Sequence, residues 1–87
     1  MKYNLVISSE LKKKFNKLAK RDKKQLLVIH KKVEGIRKNP FHFKPLKGEM
    51  HGARRVHVGK SFVLTYEVDE EKKVVRLLDY DHHDNIY

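Results

Sequence analysis

The chain has 87 residues and a formal charge of +10, from 21 Lys and Arg against 11 Asp and Glu. That length gives one domain, residues 1–87, with a thin core: a domain this small buries only about 60% of its unfolded surface. With no cysteine, disulfides and a thiolate zinc site are excluded. The basic excess points to a polyanion, nucleic acid first and an acidic protein second. The N-terminus MKYNLVISSELKKKF lacks an apolar signal region, and no apolar run approaches ~18 residues. A cytoplasmic protein that does not engage membranes is expected.

Tyr3, Leu5 and Ile7 alternate with Lys2, Asn4 and Val6, which predicts a short strand. Ser8 and Ser9 offer a helix N-cap, after which Leu11, Phe15 and Leu18 fall at helical spacing. Asp22, with Gln25 three residues on, resembles a capping box for a second helix. That helix carries Leu26, Ile29, Val33 and Ile36 on one stripe and should end at Asn39, because Pro40 disfavours helical geometry before it. Residues 39–53 hold both prolines and two of the four glycines and read as a long loop. Three strands follow: Arg54–Val58, Phe62–Val68 and Val74–Tyr80, joined by links short enough for hairpins. The expected fold is α+β, in the order β-α-α-β-β-β, with two N-terminal helices packed on an antiparallel sheet.

Several residues carry candidate chemistry. Arg55 and His57 are two apart on one strand and so share a face. Histidine suits either proton role near neutrality, and arginine can stabilise an anionic transition state. Arg76 lies in an apolar strand, as an active-site cation or as the partner of Asp79 or Glu67. From Lys12 to Lys24 there are eight cations and one acid in thirteen positions. A solvated face is the plain reading; contact with RNA phosphates would relieve the self-repulsion, with Lys13, Lys17 and Lys20 as docking residues. The run Asp79-Tyr80-Asp81-His82-His83-Asp84 is dense enough to suggest zinc or nickel. It lacks an HExxH pattern and any cysteine, so neither metal nor cofactor is expected.

The stretch Pro45-Leu46-Lys47-Gly48, then Arg54-Arg55-Val56-His57-Val58-Gly59, then Leu64-Thr65-Tyr66-Glu67-Val68, resembles the second half of RelE/ParE superfamily toxins. The order of elements agrees, and a histidine at position 57 with another near the end makes the chain most similar to the RelE/YafQ mRNA interferase branch. The resemblance implies a ribosome-dependent endoribonuclease toxin of a type II toxin-antitoxin system. Its partners would be mRNA, the ribosome with its rRNA, and an acidic antitoxin. The toxin alone would be a monomer, forming a hetero-oligomer with that antitoxin. Carried over by position, Arg55 and His57 match cationic or basic positions on the first meander strand. His83 matches a catalytic histidine and Tyr87 a functional aromatic. Lys44 matches a loop position where YafQ has histidine; Lys47 and Arg54 are further RNA-contact candidates. RelE's middle-strand arginine is Val63 here, and YafQ's acidic residue before that strand is Ser61. Alternation along the tail would turn His82 away from His83. Two other readings stand beside the nuclease: a ParE-like gyrase-binding toxin, which would lack this histidine set, and a non-catalytic basic RNA-binding or partner-binding domain.

Overall fold

A computed structural model describes residues 2–43, 53–82 and 84. The elements are β1 (Asn4–Ile7), α1 (Ser9–Arg21), α2 (Lys23–Lys38), β2 (Ala53–Val58), β3 (Phe62–Asp69) and β4 (Val74–His82). Both helices start where their capping residues predict. The Ser8 hydroxyl accepts from the Leu11 N–H at 3.1 Å, and the Asp22 carboxylate from the Gln25 N–H at 3.0 Å. The second cap is not a full capping box. The Gln25 amide donates to the Tyr80 hydroxyl at 2.9 Å instead of turning back on Asp22.

The four strands form one sheet in the order β1-β4-β3-β2. β2, β3 and β4 are the expected antiparallel meander. β1 lies parallel to β4, from Asn4 opposite Val74 to Ile7 opposite Leu77, so the sheet as a whole is mixed. A parallel neighbour requires a long crossover, and everything between β1 and β4 serves as one here. β1 is held from both sides. The Tyr3 N–H donates to the Arg37 carbonyl at the end of α2, the Arg37 guanidinium donates to the Tyr3 carbonyl, and the Tyr3 hydroxyl donates to Glu70 in the β3–β4 turn at 2.7 Å.

One face of the sheet carries both helices. Leu11 from α1 and Ile29, Val33 and Ile36 from α2 pack on Val56, Val58, Leu64, Tyr66, Val75, Leu77 and Tyr80. β4 changes parity midway. Thr65 lies opposite Asp79 but Tyr66 opposite Leu77, leaving Leu78 as a bulge. Val75 and Leu77 therefore face the helices before the bulge and Tyr80 after it. Arg76, Asp79 and Asp81 all emerge on the opposite face, the one free of α1 and α2. No described helix is long and apolar enough to cross a membrane.

The loop after α2 is tied to the core by Tyr66. Its fully buried hydroxyl donates to the Pro40 carbonyl at 2.7 Å. Tyr66→Phe should leave that buried carbonyl without a partner and cost about 1–3 kcal/mol. Roughly 4–8 °C in Tm for each kcal/mol is expected at this size. A thermal melt unchanged from wild type would show that the bond contributes nothing.

Burial also pushes the Tyr66 hydroxyl up to about 12. Below pH 10 folded and unfolded chains both hold this proton. Between pH 10 and about 12 the unfolded chain releases it first, so stability should fall across that window. The Lys14 ammonium is raised by its hydrogen bond to Asp79 and acts in the same direction above its ordinary value of 10.5. Denaturant melts at a series of alkaline pH values should show the decline, and Tyr66→Phe should make it shallower.

Candidate active site

The helix-free face is ordered in rows by strand pairing. Arg55 lies opposite Thr65, which lies opposite Asp79; His57 lies opposite Val63, which lies opposite Asp81. Each row runs from a basic residue on β2 through a buried neutral one on β3 to an acid on β4. Val63, opposite His57, is fully buried.

β2 is the last of the described strands in the sheet, so among the described residues one of its edges lacks a strand neighbour. Over that edge lies a cleft of about 390 Å³, lined by Lys32, His42, Phe43, Arg55, Val56 and His57. Residues from both faces of β2 reach it: Val56 from the core side, Arg55 and His57 from the other. α2 contributes Lys32, and the loop after it His42 and Phe43. The expectation that Arg55 and His57 share a face holds, and the fold adds Lys32 and His42 to them. Neither could be singled out in the sequence. Lys32 sits among the many cations of the helices, and His42 in a loop whose course depends on tertiary contacts.

Arg54 points the other way. Its guanidinium donates to the Phe43 carbonyl at 2.7 Å and lies 5.1 Å from the Phe41 ring centroid. It clasps the loop that carries His42. Arg76 is on the helix-free face but outside the cleft. Its row is Ala53–Glu67–Arg76, and it pairs with Glu67 at 3.2 Å and with Asp69 at 3.9 Å. Glu67 was one of the two structural partners that the sequence offered for Arg76.

The acidic–histidine run is split by the pleat. Asp79 and Asp81 face the helix-free side, whereas His82 packs edge-on against Phe62 at 5.7 Å on the other. Lys14 of α1 reaches Asp79 at 2.8 Å and the Tyr80 carbonyl at 3.3 Å, along the part of β4 that runs beyond β1. His83, Tyr87, Lys44 and Lys47 lie outside the described residues.

The cations of α1 divide as well. At 3.6 residues per turn, Lys13, Lys17 and Lys20 stand roughly 180–240° from the buried Leu11, and all three are exposed. Lys17 also borders a groove with Lys14, Arg21, Phe62, Tyr80 and Asp81.

Comparison with known proteins agrees with this architecture. A family profile described as the ParE toxin of the type II toxin-antitoxin system, parDE, matches residues 5–87. The chain is 51% identical over 85 residues to the putative toxin RelE4 of Methanocaldococcus jannaschii, covering 98% of this chain and 90% of that one. It is similar in structure to a chain of the toxin-antitoxin complex RelBE2 from Mycobacterium tuberculosis. There the TM-score is 0.76 and the identity 25%, over 94% of this chain and 92% of that one. YafQ from E. coli superposes with a TM-score of 0.75 at 19% identity, over 98% of each chain. The order of elements, the motif residues on β2 and β3, and these matches together make the chain a member of the ParE toxin family of type II toxin-antitoxin systems, within the RelE/ParE superfamily.

Proposed function

We propose that the chain is a ribosome-dependent endoribonuclease, the toxin of its pair, which cleaves mRNA without a metal and is neutralised by an acidic antitoxin. The observation that carries this reading is the cleft over β2, where the imidazole of His57 stands with the cations Arg55 and Lys32. Internal attack by a ribose 2′-hydroxyl needs a group to take its proton and positive charge to hold the pentavalent phosphate. In the cleft His57 is the proton-transfer group, and Arg55 and Lys32 supply the charge. Arg54 and Arg76 act indirectly in this reading, one holding the loop and the other the strands. His83, Tyr87, Lys44 and Lys47 stand at positions to which the resemblance alone gives the roles of proton transfer, base stacking and RNA contact, and the cleft is argued without them. The +10 charge supports a polyanionic partner for the toxin and an acidic one for its antitoxin.

Incubated with translating ribosomes, the protein should cut mRNA to leave a 2′,3′-cyclic phosphate or 3′-phosphate and a 5′-hydroxyl. His57→Ala should slow single-turnover cleavage by about 10²–10⁴-fold, the usual range for losing a general acid or base. Cleavage should survive a chelator of transition metals at magnesium levels that keep ribosomes intact. Loss under the chelator with recovery on adding zinc would overturn the metal-free mechanism. Inhibition of gyrase supercoiling without RNA cleavage would establish the ParE-type activity instead.

Lys13, Lys17 and Lys20 are proposed to dock the toxin on ribosomal RNA. Reversing the three charges should weaken ribosome binding and flatten its salt dependence, because fewer counterions are released. The single-turnover rate at saturating protein should hardly change. Unaltered binding would make this helix face a solvated surface only.

A further inference from the structure

We infer that His42 is the second proton-transfer residue of the cleft, dividing the acid and base roles with His57; this rests on the nuclease reading above. His42 is exposed and lines the same cleft as His57, Arg55 and Lys32. Its position is fixed from several directions. Tyr66 holds the Pro40 carbonyl from within the core at 2.7 Å. Arg54 holds the Phe43 carbonyl at 2.7 Å. The His42 N–H donates to the Asn39 carbonyl at 3.3 Å, and its ring meets Phe43 edge-on at 5.1 Å. An exposed histidine on a loop would ordinarily sample many positions. Here the backbone on both sides of it is bonded to the core or to β2, and preorganisation of this kind is what proton transfer requires.

Two imidazoles in one cleft complete the chemistry. One takes the proton of the 2′-hydroxyl as the 2′-oxygen bonds to phosphorus. The P–O5′ bond breaks, and the other imidazole, protonated beforehand, gives its proton to the departing 5′-oxygen. The products are a 2′,3′-cyclic phosphate and a 5′-hydroxyl. One histidine has gained a proton and the other has lost one, and exchange with water restores the pair. Arg55 and Lys32 bear the phosphate charge without changing protonation state.

The test is single-turnover cleavage of ribosome-bound mRNA by wild type, His42→Ala, His42→Gln and His57→Ala, each checked by thermal melting. Two substrates are used: ordinary mRNA, and mRNA with sulfur in place of the bridging 5′-oxygen at the linkage that wild type cuts. A thiolate leaves without being protonated, so the sulfur substrate bypasses the acid. His42→Ala and His42→Gln should be slowed by about 10²-fold or more on ordinary mRNA. Sulfur should restore either the His42 variants or His57→Ala, whichever lacks the acid, and not the other. His42 variants that keep pace with wild type would overturn the inference. So would variants slowed alike on both substrates while His57→Ala is not restored either, since that marks a structural role. A wild type that cleaves neither substrate would overturn the nuclease reading itself.

Discussion

The packing of α1 and α2 on one face of the four-stranded sheet is the constraint from which the rest of the described structure follows. The apolar residues of β2, β3 and β4 are drawn to the side where Leu11, Ile29, Val33 and Ile36 wait. What cannot be buried is left on the other side, where Arg55, His57, Glu67, Arg76, Asp79 and Asp81 gather. At about 60% burial there is little apolar surface to spare. Placing charged groups on the free face therefore costs the fold little. Even there, the residues of β3 are not exposed: Val63 and Thr65 are almost fully buried. The face opposite the helices thus has buried neutral residues on β3 between basic residues on β2 and acidic ones on β4.

The cleft depends on the loop after α2 as much as on the strand beneath it. Tyr66 from the core and Arg54 from β2 each hold a backbone carbonyl of that loop. A backbone carbonyl is a fixed point, whereas a side-chain partner would bring its own rotamer freedom. Adjacent residues on β2 thus divide the work. Arg54 turns to the loop, while Arg55 turns to the open face, as the pleat requires. Exchanging their roles would need a one-residue slip of β2, which would also carry Val56 and Val58 out of the core.

Much of this was legible in the sequence because it is written in local terms. Helix starts follow from Ser8 and Asp22, the apolar stripe of α2 from a period of 3.6, and the shared face of Arg55 and His57 from a period of two. What escaped depends on long-range partners. The parallel pairing of β1 leaves no trace in its own four residues. The bulge at Leu78 is invisible in a run of apolar and acidic residues, yet it decides that Asp79 and Arg76 share a face although three apart in sequence. The pairing of Arg76 with Glu67 was one of two readings, and only the strand register distinguishes them. Lys32 and His42 entered the site through packing of α2 and its loop, which composition does not encode.

The placement of β1 has a consequence for the order in which the molecule can form. Asn4 pairs with Val74, seventy positions later by subtraction. Of the four strands described, β1 is thus made before the strand it pairs with by the whole span of the other elements. Until β4 has emerged, β1 has no strand to pair with, and β3 has only β2. Contacts of such separation are paid for in loop-closure entropy before they return any stability, which slows folding. The acidic rim, with Asp79 and Asp81, arrives on the same late strand. A growing chain of this protein thus carries its helices and its first hairpin well before it owns a complete sheet, and the sheet is finished only once β4 has been made.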